Sequence, residues 1–217
     1  MKLVDLSLRE FVYHIDSAEP APGGGSVSAV ASSMGTALLR MVGHLTIPKK
    51  KFQKLDSPIQ EAMIKTHDSI KSLEIKLLDL VDRDTDAFNA IMACYRMPKE
   101  TENDIKKRNK AIELAMIKAI EIPEQIADIA LDALNKVDLI IHYGNQFALS
   151  DIGVGVLMLY AGLEGAILNM KINLANITDK ALKSIYMDSI SKKIKEGNAL
   201  KSMLLLKIHE KIDKTIL

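Results

Sequence analysis

Apolar residues recur every three or four positions along most of the chain, which is the spacing of helices that bury one face. Ser7 and Glu10 have the spacing of a capping box and predict a short helix that ends near Asp16. A second helix is predicted from about Val27 to a point before Pro48. Its predicted core face consists of the apolar positions Val30, Met34, Ala37, Leu38, Met41, Val42 and Leu45.

Caps, prolines and glycines mark the predicted ends of the longer helices that follow. Ser57 is the predicted cap of one of these helices, and Ser150 or Asp151 that of another. The predicted helices run from Ser57 to about Tyr95, Thr101 to about Glu121, Pro123 to about His142, Ser150 or Asp151 to about Met170, and from Asp179 onward. Pro123 either kinks one helix or starts a new one, and Gly197 is predicted to break the last. Small residues in the helix after Asp151 would let a neighbouring helix or a partner subunit pack closely.

No stretch of the chain alternates between apolar and polar residues with period two for long enough to indicate a sheet. The sequence therefore predicts an all-α fold, a bundle of long antiparallel helices in one domain over residues 1–217.

Charge and cysteine content exclude several classes of partner and site. Lys and Arg number 29 against 28 Asp and Glu, so no overall field attracts nucleic acid or an anionic membrane. A single cysteine, Cys94, leaves no disulfide framework or zinc spacing, and the five histidines show no paired metal spacing, so we expect no metal. The N-terminus does not resemble a signal peptide, and the longest apolar run, Ile152 to Leu163, is too short to span a bilayer. These features predict a soluble, cytoplasmic protein.

Three consecutive glycines precede the second helix in the stretch "PAPGGGSVSAV", Pro20 to Val30. Glycine loses the most backbone entropy on folding, so a triplet is expected where the chain takes unusual dihedral angles or where another group approaches the backbone closely. The backbone N–H groups of Gly24, Gly25 and Ser26 can converge on an anionic or carbonyl group at the helix start. Ser26 can equally be a plain N-cap, so the stretch is either a hinge or a ligand site.

Asp84 departs most clearly from the apolar pattern of the third helix. It falls on a stripe that is otherwise apolar, formed by Ile70, Leu73, Leu77, Leu80, Ala87, Phe88, Ile91 and Tyr95. The neighbouring acids Asp79, Asp82 and Asp86 lie on the polar side of the same helix and are expected to be solvated. A carboxylate in an apolar setting either pairs with a Lys, an Arg or a backbone donor, or has a raised pKa that suits general acid or base catalysis. The spacing alone leaves both interpretations open.

Other polar positions also have a structural and a functional interpretation. Asp151 at a predicted helix start is typical of capping, and Asn145 after a helix-ending glycine is typical of a turn. The consecutive lysines Lys49, Lys50 and Lys51 are typical of a solvated loop, although they follow the helix that the glycine triplet begins.

Three blocks, in this order along the chain, resemble the formiminotetrahydrofolate cyclodeaminase family, which also includes bacterial methenyltetrahydrofolate cyclohydrolases. The blocks are "EPAPGGGSVSAVASSMGTALLRMVGHLTIPKKKF", "DRDTDAFNAIMACYRMPK" and "GNQFALSDIGVGVLMLYAGLEGAILNMKINL". They extend from Glu19 to Leu174, and the C-terminal helical region resembles the family only in character. Phe147 stands in the third block where a polar residue is expected in some relatives.

The resemblance implies a compact all-helical homodimer that acts on tetrahydrofolate one-carbon derivatives, polyglutamylated ones included, without a metal or organic cofactor. Members either close 5-formiminotetrahydrofolate to 5,10-methenyltetrahydrofolate with release of ammonia, or interconvert 5,10-methenyl- and 10-formyltetrahydrofolate. Both reactions pass through a tetrahedral carbon between N5 and N10, so one site geometry can serve either. Cyclodeamination is the first choice and the cyclohydrolase reaction is the alternative. The alternative gains modest support because the chain carries no formiminotransferase segment, so formimino-folate would come from another polypeptide. A helical interaction module without chemistry is the alternative of another class, but it does not explain Asp84.

The resemblance also implies roles for individual residues. Asp84 matches the acid of the family's "DxxAF" block and is the first choice for proton transfer. Asp151 and Asn145 match the "GNxxxxSD" block as substrate-orienting groups, with Asp151 alternatively a second acid. The substrate-binding set is completed by Gly23, Gly24, Gly25 and Ser26, which match the "PGGGS" loop and would cradle the pterin or one-carbon group, and by Lys49, Lys50 and Lys51, which would meet the carboxylates of the glutamate tail.

Overall fold

The computed structural model describes residues 2–216, and every regular element within that range is helical. The α-helices are α1 (Leu8–Ile15), α2 (Gly24–Thr46), α3 (Ser57–Tyr95), α4 (Glu102–Asn135), α5 (Val137–Tyr143), α6 (Leu149–Leu174) and α7 (Lys180–Ile216). The all-α fold that the period of apolar residues predicted is therefore confirmed. Ser7 and Glu10 form the capping box expected at the start of α1.

Helix α2 lies between α3 and α6 and is antiparallel to both. Gly25, at the start of α2, lies against Asp84 of α3, whereas Gly43, near the end of α2, lies against His67. Along this interface the contacting residues of α3 have falling numbers as those of α2 rise, so the two helices run in opposite directions. The two ends of α2 therefore lie in different surroundings.

Small residues allow α2 and α6 to pack closely. Gly162 of α6 lies against Ser28 and Ser32 of α2, and a Cβ built at Gly162 would come within 2.6 Å of the Ser28 carbonyl oxygen. A Cβ at Gly35 of α2 would lie 2.7 Å from Leu159 Cγ of α6. The prediction that small residues of α6 admit a close neighbour is confirmed, and that neighbour is α2 of the same chain.

Gly162→Ala is expected to lower the free energy of unfolding by about 1–3 kcal/mol, the usual cost of overpacking a core. The added methyl group would overlap Ser32 Oγ and press on the Ser28 carbonyl group, which cannot move without separating the two helices. Gly153→Ala in the same helix is the matched control, because the nearest atom to its Cβ would be Ile208 Cγ2 at 3.6 Å, an ordinary contact. Chemical denaturation of both variants measures the difference, and equal stabilities would contradict the close packing.

The other sides of α6 are covered by α4 and α7, and the hydrophobic core lies between these helices and α2 and α3. Fully buried side chains include Leu77 on α3, Ile126 on α4 and Ile152 on α6. The segment Gln146–Leu174 is long and apolar enough, by length and composition, to cross a membrane, but 50% of its most apolar window is buried in the bundle. The same properties are found in the core helix of a soluble helical bundle.

The predicted core face of α2 is largely wrong. Val42 is fully buried as expected, but Met34, Met41 and Leu45 are between 36% and 41% exposed. Val27, seven residues before Met34, is exposed to a similar extent. We call Val27, Met34, Met41 and Leu45 the α2 seam. The side of α2 that is buried instead carries small polar residues, which are Ser26, Ser28, Ser32, Ser33, Thr36 and Thr46.

Small hydroxyl residues suit the buried side of α2 because the neighbouring helices come close there. Their hydroxyl groups are largely satisfied within the helix: Ser28 Oγ donates to the Gly24 carbonyl oxygen at 2.6 Å and Thr36 Oγ1 to that of Ser33 at 2.7 Å. The period of apolar residues identifies a face that favours burial, but it does not say which surface covers that face. In a single chain, the α2 seam remains partly open to solvent.

Of the two outcomes predicted at Pro123, a kink within one helix or the start of a new helix, the second is wrong. Pro123 lies inside α4, which continues to Asn135, and the chain breaks at Lys136 instead. Proline cannot donate to the carbonyl group four residues earlier, but Asn173 Nδ2 donates to that oxygen, on Ala119, at 2.6 Å. A side chain of α6 thus replaces the missing backbone hydrogen bond.

Gly197 also lies within a continuous helix, α7, rather than at a break. It is buried, and a Cβ at this position would overlap the side chain of Leu163 on α6. The glycine therefore serves the close approach of α7 to α6.

The predicted caps of α3 and α6 are also wrong. Asp56, rather than Ser57, is the N-cap of α3, and the side chain of Gln60 donates to the Leu55 carbonyl oxygen at 2.7 Å. Ala148 is the N-cap of α6, so Ser150 and Asp151 lie within its first turn. Asp151 is therefore not the N-cap residue, although an acid in the first turn still interacts favourably with the positive end of the helix dipole.

Candidate active site

Asp84 of α3 lies against the start of α2 and is held there by Ser26. The Ser26 backbone N–H donates to Asp84 Oδ2 at 2.8 Å, and Ser26 Oγ lies 3.1 Å from the same oxygen. Ser26 Oγ also lies 2.8 Å from the Val81 carbonyl oxygen and 3.2 Å from Thr85 Oγ1. Since the N-cap of α2, Gly23, has no side chain to cap the helix, the carboxyl group of Asp84 takes that place at the positive end of the helix dipole.

Burial raises the pKa of Asp84 above the usual value of a carboxyl group, and the hydrogen bonds from Ser26 oppose that rise. Within the described part of the chain, no Lys, Arg or His forms an ion pair with Asp84. The carboxyl group therefore has a backbone donor and a raised pKa together, the two features that the sequence offered as alternatives. Such a group can take up and release a proton closer to neutral pH than an ordinary Asp.

Gly25 leaves the space that Asp84 occupies. A Cβ built at Gly25 would overlap the carboxyl group of Asp84, so a side chain does not fit there without displacing it. None of the described glycines has a positive φ, so the triplet does not serve a left-handed turn. Close approach is the reason for Gly25, and the approaching group is a side chain of the protein itself. We call Gly23–Ser26 together with Asp84 the Asp84 cradle.

The first two glycines of the triplet are less enclosed. A Cβ at Gly24 would lie 3.0 Å from Asn169 Nδ2 of α6, and one at Gly23 would have its nearest neighbour at 3.7 Å. Among the described residues, Ser26 is the one member of Gly24–Ser26 whose backbone N–H has a protein acceptor. The backbone N–H groups of Gly24 and Gly25 are therefore free to donate to another hydrogen-bond acceptor.

A second group of predicted residues lines a cleft at the other end of α2. The cleft has a volume of about 570 Å³, and its wall includes Lys49, Lys51 and Asn145. Lys50 is exposed but does not line it. Lys211 of α7 is a further cation in the wall, and none of the described lining residues is acidic. We call this feature the basic cleft.

Asn145 shapes the wall of the basic cleft through the turn that the sequence predicted. Its backbone N–H donates to Thr46 Oγ1 at 2.9 Å, which ties the turn to the end of α2. Its side-chain Oδ1 accepts the Phe147 N–H at 3.2 Å. Phe147, at the edge of the cleft, is 99% exposed. An aromatic ring in water at a cleft rim suits contact with a ligand or with another protein surface.

Asp151 is half-buried on the first turn of α6 and does not approach Asp84. Gly155, one turn later, lies against Gly35 and Leu39 in the middle of α2, so Asp151 lies nearer to the C-terminal end of α2. The Asp84 cradle lies at the N-terminal end. The two predicted acids are therefore not brought together within one chain.

The structure thus sorts the predicted residues into two groups at opposite ends of α2. One is the Asp84 cradle, and the other is the basic cleft with Lys49, Lys51 and Asn145. Helix α2 has 23 residues, so its ends are about 33 Å apart at the usual rise per residue. The basic cleft and the cradle do not share one cavity in a single chain.

Sequence reasoning missed three residues of these sites. Asn169 of α6 borders Gly24, Thr85 lies beside Ser26, and Lys211 of α7 donates to Gln146 Oε1 at 3.1 Å in the wall of the basic cleft. Thr85 is adjacent to Asp84 and thus could have been suspected. Nothing in the periodicity of α6 or α7 indicates which of their polar residues face α2.

Relatives of known function match nearly all of the chain. The chain is 28% identical over 207 residues to methenyltetrahydrofolate cyclohydrolase of Methylorubrum extorquens. This alignment covers 95% of the chain and 98% of that protein. The chain is 34% identical over 208 residues to formimidoyltransferase-cyclodeaminase of Gallus gallus. This alignment covers 94% of the chain but 38% of that protein.

A solved structure and a family model agree with these matches. The structure of formiminotetrahydrofolate cyclodeaminase from Thermotoga maritima has a TM-score of 0.77 at 23% identity, with 98% of each chain covered, and so shares the fold. The model of the family described as Formiminotransferase-cyclodeaminase matches residues 7–192. Because this match extends over most of the sequence and agrees with the three blocks, the chain belongs to the formiminotransferase-cyclodeaminase family.

Proposed function

We propose that the protein converts 5-formiminotetrahydrofolate to 5,10-methenyltetrahydrofolate and releases ammonia. The observation that carries this proposal is the carboxyl group of Asp84, which is largely buried, has a raised pKa and is held by Ser26 beside an open glycine loop. The names of the relatives support folate one-carbon chemistry. The conversion moves protons and a leaving group only, so the proposal includes no metal or organic cofactor.

In the proposed reaction, N10 of the substrate attacks the carbon of the protonated formimino group, –CH=NH2+. A C–N10 bond forms, and the electrons of the C=N double bond move to the formimino nitrogen, which becomes an NH2 group. The Asp84 carboxylate takes the proton that N10 loses and returns it to the formimino nitrogen. That nitrogen leaves as ammonia when the lone pair of N5 forms the new C=N bond of the methenyl group. One acid performs both transfers most effectively when its pKa lies near the working pH, and burial shifts the pKa of Asp84 in that direction.

Interconversion of 5,10-methenyl- and 10-formyltetrahydrofolate is the second candidate. The match to the Methylorubrum extorquens cyclohydrolase favours it, because that match covers almost all of both proteins, whereas the chain spans 38% of the Gallus gallus relative. Asp84 would then take one proton from the attacking water and give it to N5 as the C–N5 bond breaks, while the second proton of that water is released to solvent as the C=O bond of the formyl group forms. Purified protein assayed with both substrates side by side distinguishes the two reactions. Turnover of neither would contradict the proposed function and favour a helical interaction module.

The remaining predicted residues fit substrate binding in two places. The free N–H groups of Gly24 and Gly25 suit a carbonyl or anionic group of the pterin or one-carbon unit. The basic cleft suits the carboxylates of the glutamate tail, with Asn145 shaping its wall. Asp151 is assigned to substrate orientation rather than to proton transfer, because it lies away from Asp84.

The lysines in the wall of the basic cleft lead to a prediction about which folates they help to bind. Lys49→Ala with Lys51→Ala is expected to weaken binding of long-tailed folates more than binding of the monoglutamate, and added salt should shrink that difference because it screens charge. Lys50→Ala is the matched control, because Lys50 is exposed but lies outside the cleft wall. Michaelis constants for folates of both tail lengths provide the measurement. Equal losses for the two tail lengths would leave these lysines as ordinary solvated charges.

We also propose that the protein is a homodimer and acts in the cytoplasm. The α2 seam is apolar and partly exposed, and Val154 and Leu157 of the adjacent helix α6 are 49% and 50% exposed. Exposed apolar side chains on neighbouring helices suit contact with a partner protein. The single cysteine, Cys94, suits a reducing compartment.

A further inference from the structure

The Asp84 cradle and the basic cleft complement each other chemically but lie at opposite ends of α2. The cradle offers an acid and free N–H groups, and no cation among the described residues pairs with Asp84. The cleft offers Lys49, Lys51 and Lys211, with no acidic residue in its described wall. A folate has a pterin that needs the first kind of surroundings and a carboxylate tail that needs the second. Because they lie at opposite ends of a helix about 33 Å long, the two half-sites are poorly placed to serve one short folate.

The α2 seam lies between the two half-sites. Val27, Met34 and Met41 are spaced by seven residues, so they share one side of α2, and they are 38%, 41% and 36% exposed. Met34 lies in the middle of the helix, with one large apolar residue a heptad away on either side. A two-fold axis at Met34 would therefore pair Val27 of one copy with the equivalent of Met41 in the other, which makes the seam self-complementary in the antiparallel sense.

The direction of packing decides what the ends of α2 meet. If two copies packed their α2 helices in parallel, cradle would face cradle and cleft would face cleft. In an antiparallel pair, the N-terminal end of α2 in one copy lies beside the C-terminal end of α2 in the other. Only the second arrangement brings an acid and its free N–H groups next to a cluster of lysines.

We infer that two copies of this chain pack α2 against α2 in antiparallel orientation through the seam, and that each folate site combines the Asp84 cradle of one protomer with the basic cleft of its partner. The folate part of this inference rests on the proposed function, whereas the antiparallel pairing does not. Phe147, 99% exposed at the rim of the cleft and close to Leu45 of the seam, then lies at the junction between the protomers. Each dimer contains two such composite sites.

Cross-linking tests the orientation without using activity. In a Cys94→Ser background, co-expressed Val27→Cys and Met41→Cys chains are expected to form a disulfide-linked dimer, whereas neither variant alone should do so. Met34→Cys alone should cross-link, because it lies at the two-fold axis, and Ile185→Cys on α7, where the native side chain is 65% exposed, should not. Cross-linking of Val27→Cys to itself, or a Met34→Cys protein that stays monomeric, would overturn the inference.

Complementation between two defective chains tests the composite site. Asp84→Asn carries a damaged cradle, and Lys49→Glu with Lys51→Glu carries a damaged cleft. Each dimer of one chain of each type has one intact site and one site damaged in both halves. Random mixing should therefore restore about a quarter of wild-type activity at low concentrations of polyglutamyl folate, because half of the dimers are mixed and half of their sites are intact.

The outcomes separate the inference from the proposed function. If both half-sites belonged to one chain, every site in a mixed dimer would keep one defect and activity would not return. Full activity in the charge-reversed cleft variant alone would likewise overturn the composite site. A wild-type protein that turns over neither folate would defeat the proposed function, and the cross-linking pattern would still decide the orientation.

Discussion

Asp84→Asn is expected to keep the fold and to lower turnover by about two to four orders of magnitude, the usual contribution of a positioned proton-transfer group. Asparagine has nearly the shape of aspartate, and its oxygen can still accept the Ser26 N–H that now binds Asp84 Oδ2 at 2.8 Å. It cannot take a proton from N10 or return one to the leaving nitrogen. Steady-state turnover of both folate substrates, with circular dichroism to confirm the helical fold, provides the measurement.

The same substitution is expected to change how stability depends on pH. Burial raises the pKa of Asp84 in the folded protein above its unfolded value, so folding favours the protonated form. The stability that this contributes is present below the unfolded pKa and is lost as the pH rises through the folded pKa. Because asparagine does not ionise, the Tm of Asp84→Asn minus that of the wild type should increase with pH over this window.

Asp86→Asn is the matched control for both measurements. Asp86 lies two residues from Asp84 on α3 but is exposed, so its replacement should leave turnover near the wild-type value. A folded Asp84→Asn protein with near wild-type turnover would rule out the proton-transfer role. Equal losses in the two variants would indicate that negative charge near the cradle, rather than Asp84 itself, is what the reaction requires.

The period of apolar residues predicted the helices well, because each long helix buries one side in the core. It failed on much of α2. Small polar residues make up a large part of the side that packs against α3 and α6, and although Leu39 and Val42 are buried, four other apolar residues form the exposed seam. Hydrophobicity alone cannot distinguish a face covered by the same chain from one that another surface covers. The sequence also left open whether the helix continues through Pro123, because the compensating hydrogen bond comes from Asn173, some fifty residues later in the chain.

Asp84 could be found from the sequence because a carboxylate on an apolar stripe conflicts with the local pattern. Its partner Ser26 could be named only as part of the glycine loop, since spacing within one helix says nothing about which other helix it meets. For the same reason the sequence did not reveal that Asp84 and Lys49 lie at opposite ends of α2, or that Asn169 borders Gly24. The stripe also predicted solvated acids nearby, yet Asp82 accepts a hydrogen bond from the Leu3 N–H.

The glycine triplet offers the second large effect, because its members differ in what surrounds them. Gly25 and Gly23 are both without a positive φ, so alanine fits the backbone at either position and any difference between the variants must come from contacts. At Gly23 the nearest atom to an added Cβ would lie at 3.7 Å, an ordinary contact. At Gly25 the added Cβ would overlap the carboxyl group of Asp84.

Gly25→Ala is therefore expected to lower turnover by about two orders of magnitude, the typical result of misplacing a catalytic group by about 1 Å. Gly23→Ala, whose added Cβ does not reach Asp84, is expected to have a much smaller effect and to leave the pH profile in place. The displaced carboxylate would turn towards water and lose the Ser26 N–H. Burial is the larger influence on the pKa of Asp84, so its loss outweighs the loss of the hydrogen bond, the pKa should fall, and the acidic limb of the pH–rate profile should move to lower pH. A purely structural glycine would lower the Tm without moving that limb. Turnover, Tm and the pH profile of the two alanine variants thus decide whether Gly25 is needed to position Asp84, and unchanged kinetics in Gly25→Ala would refute it.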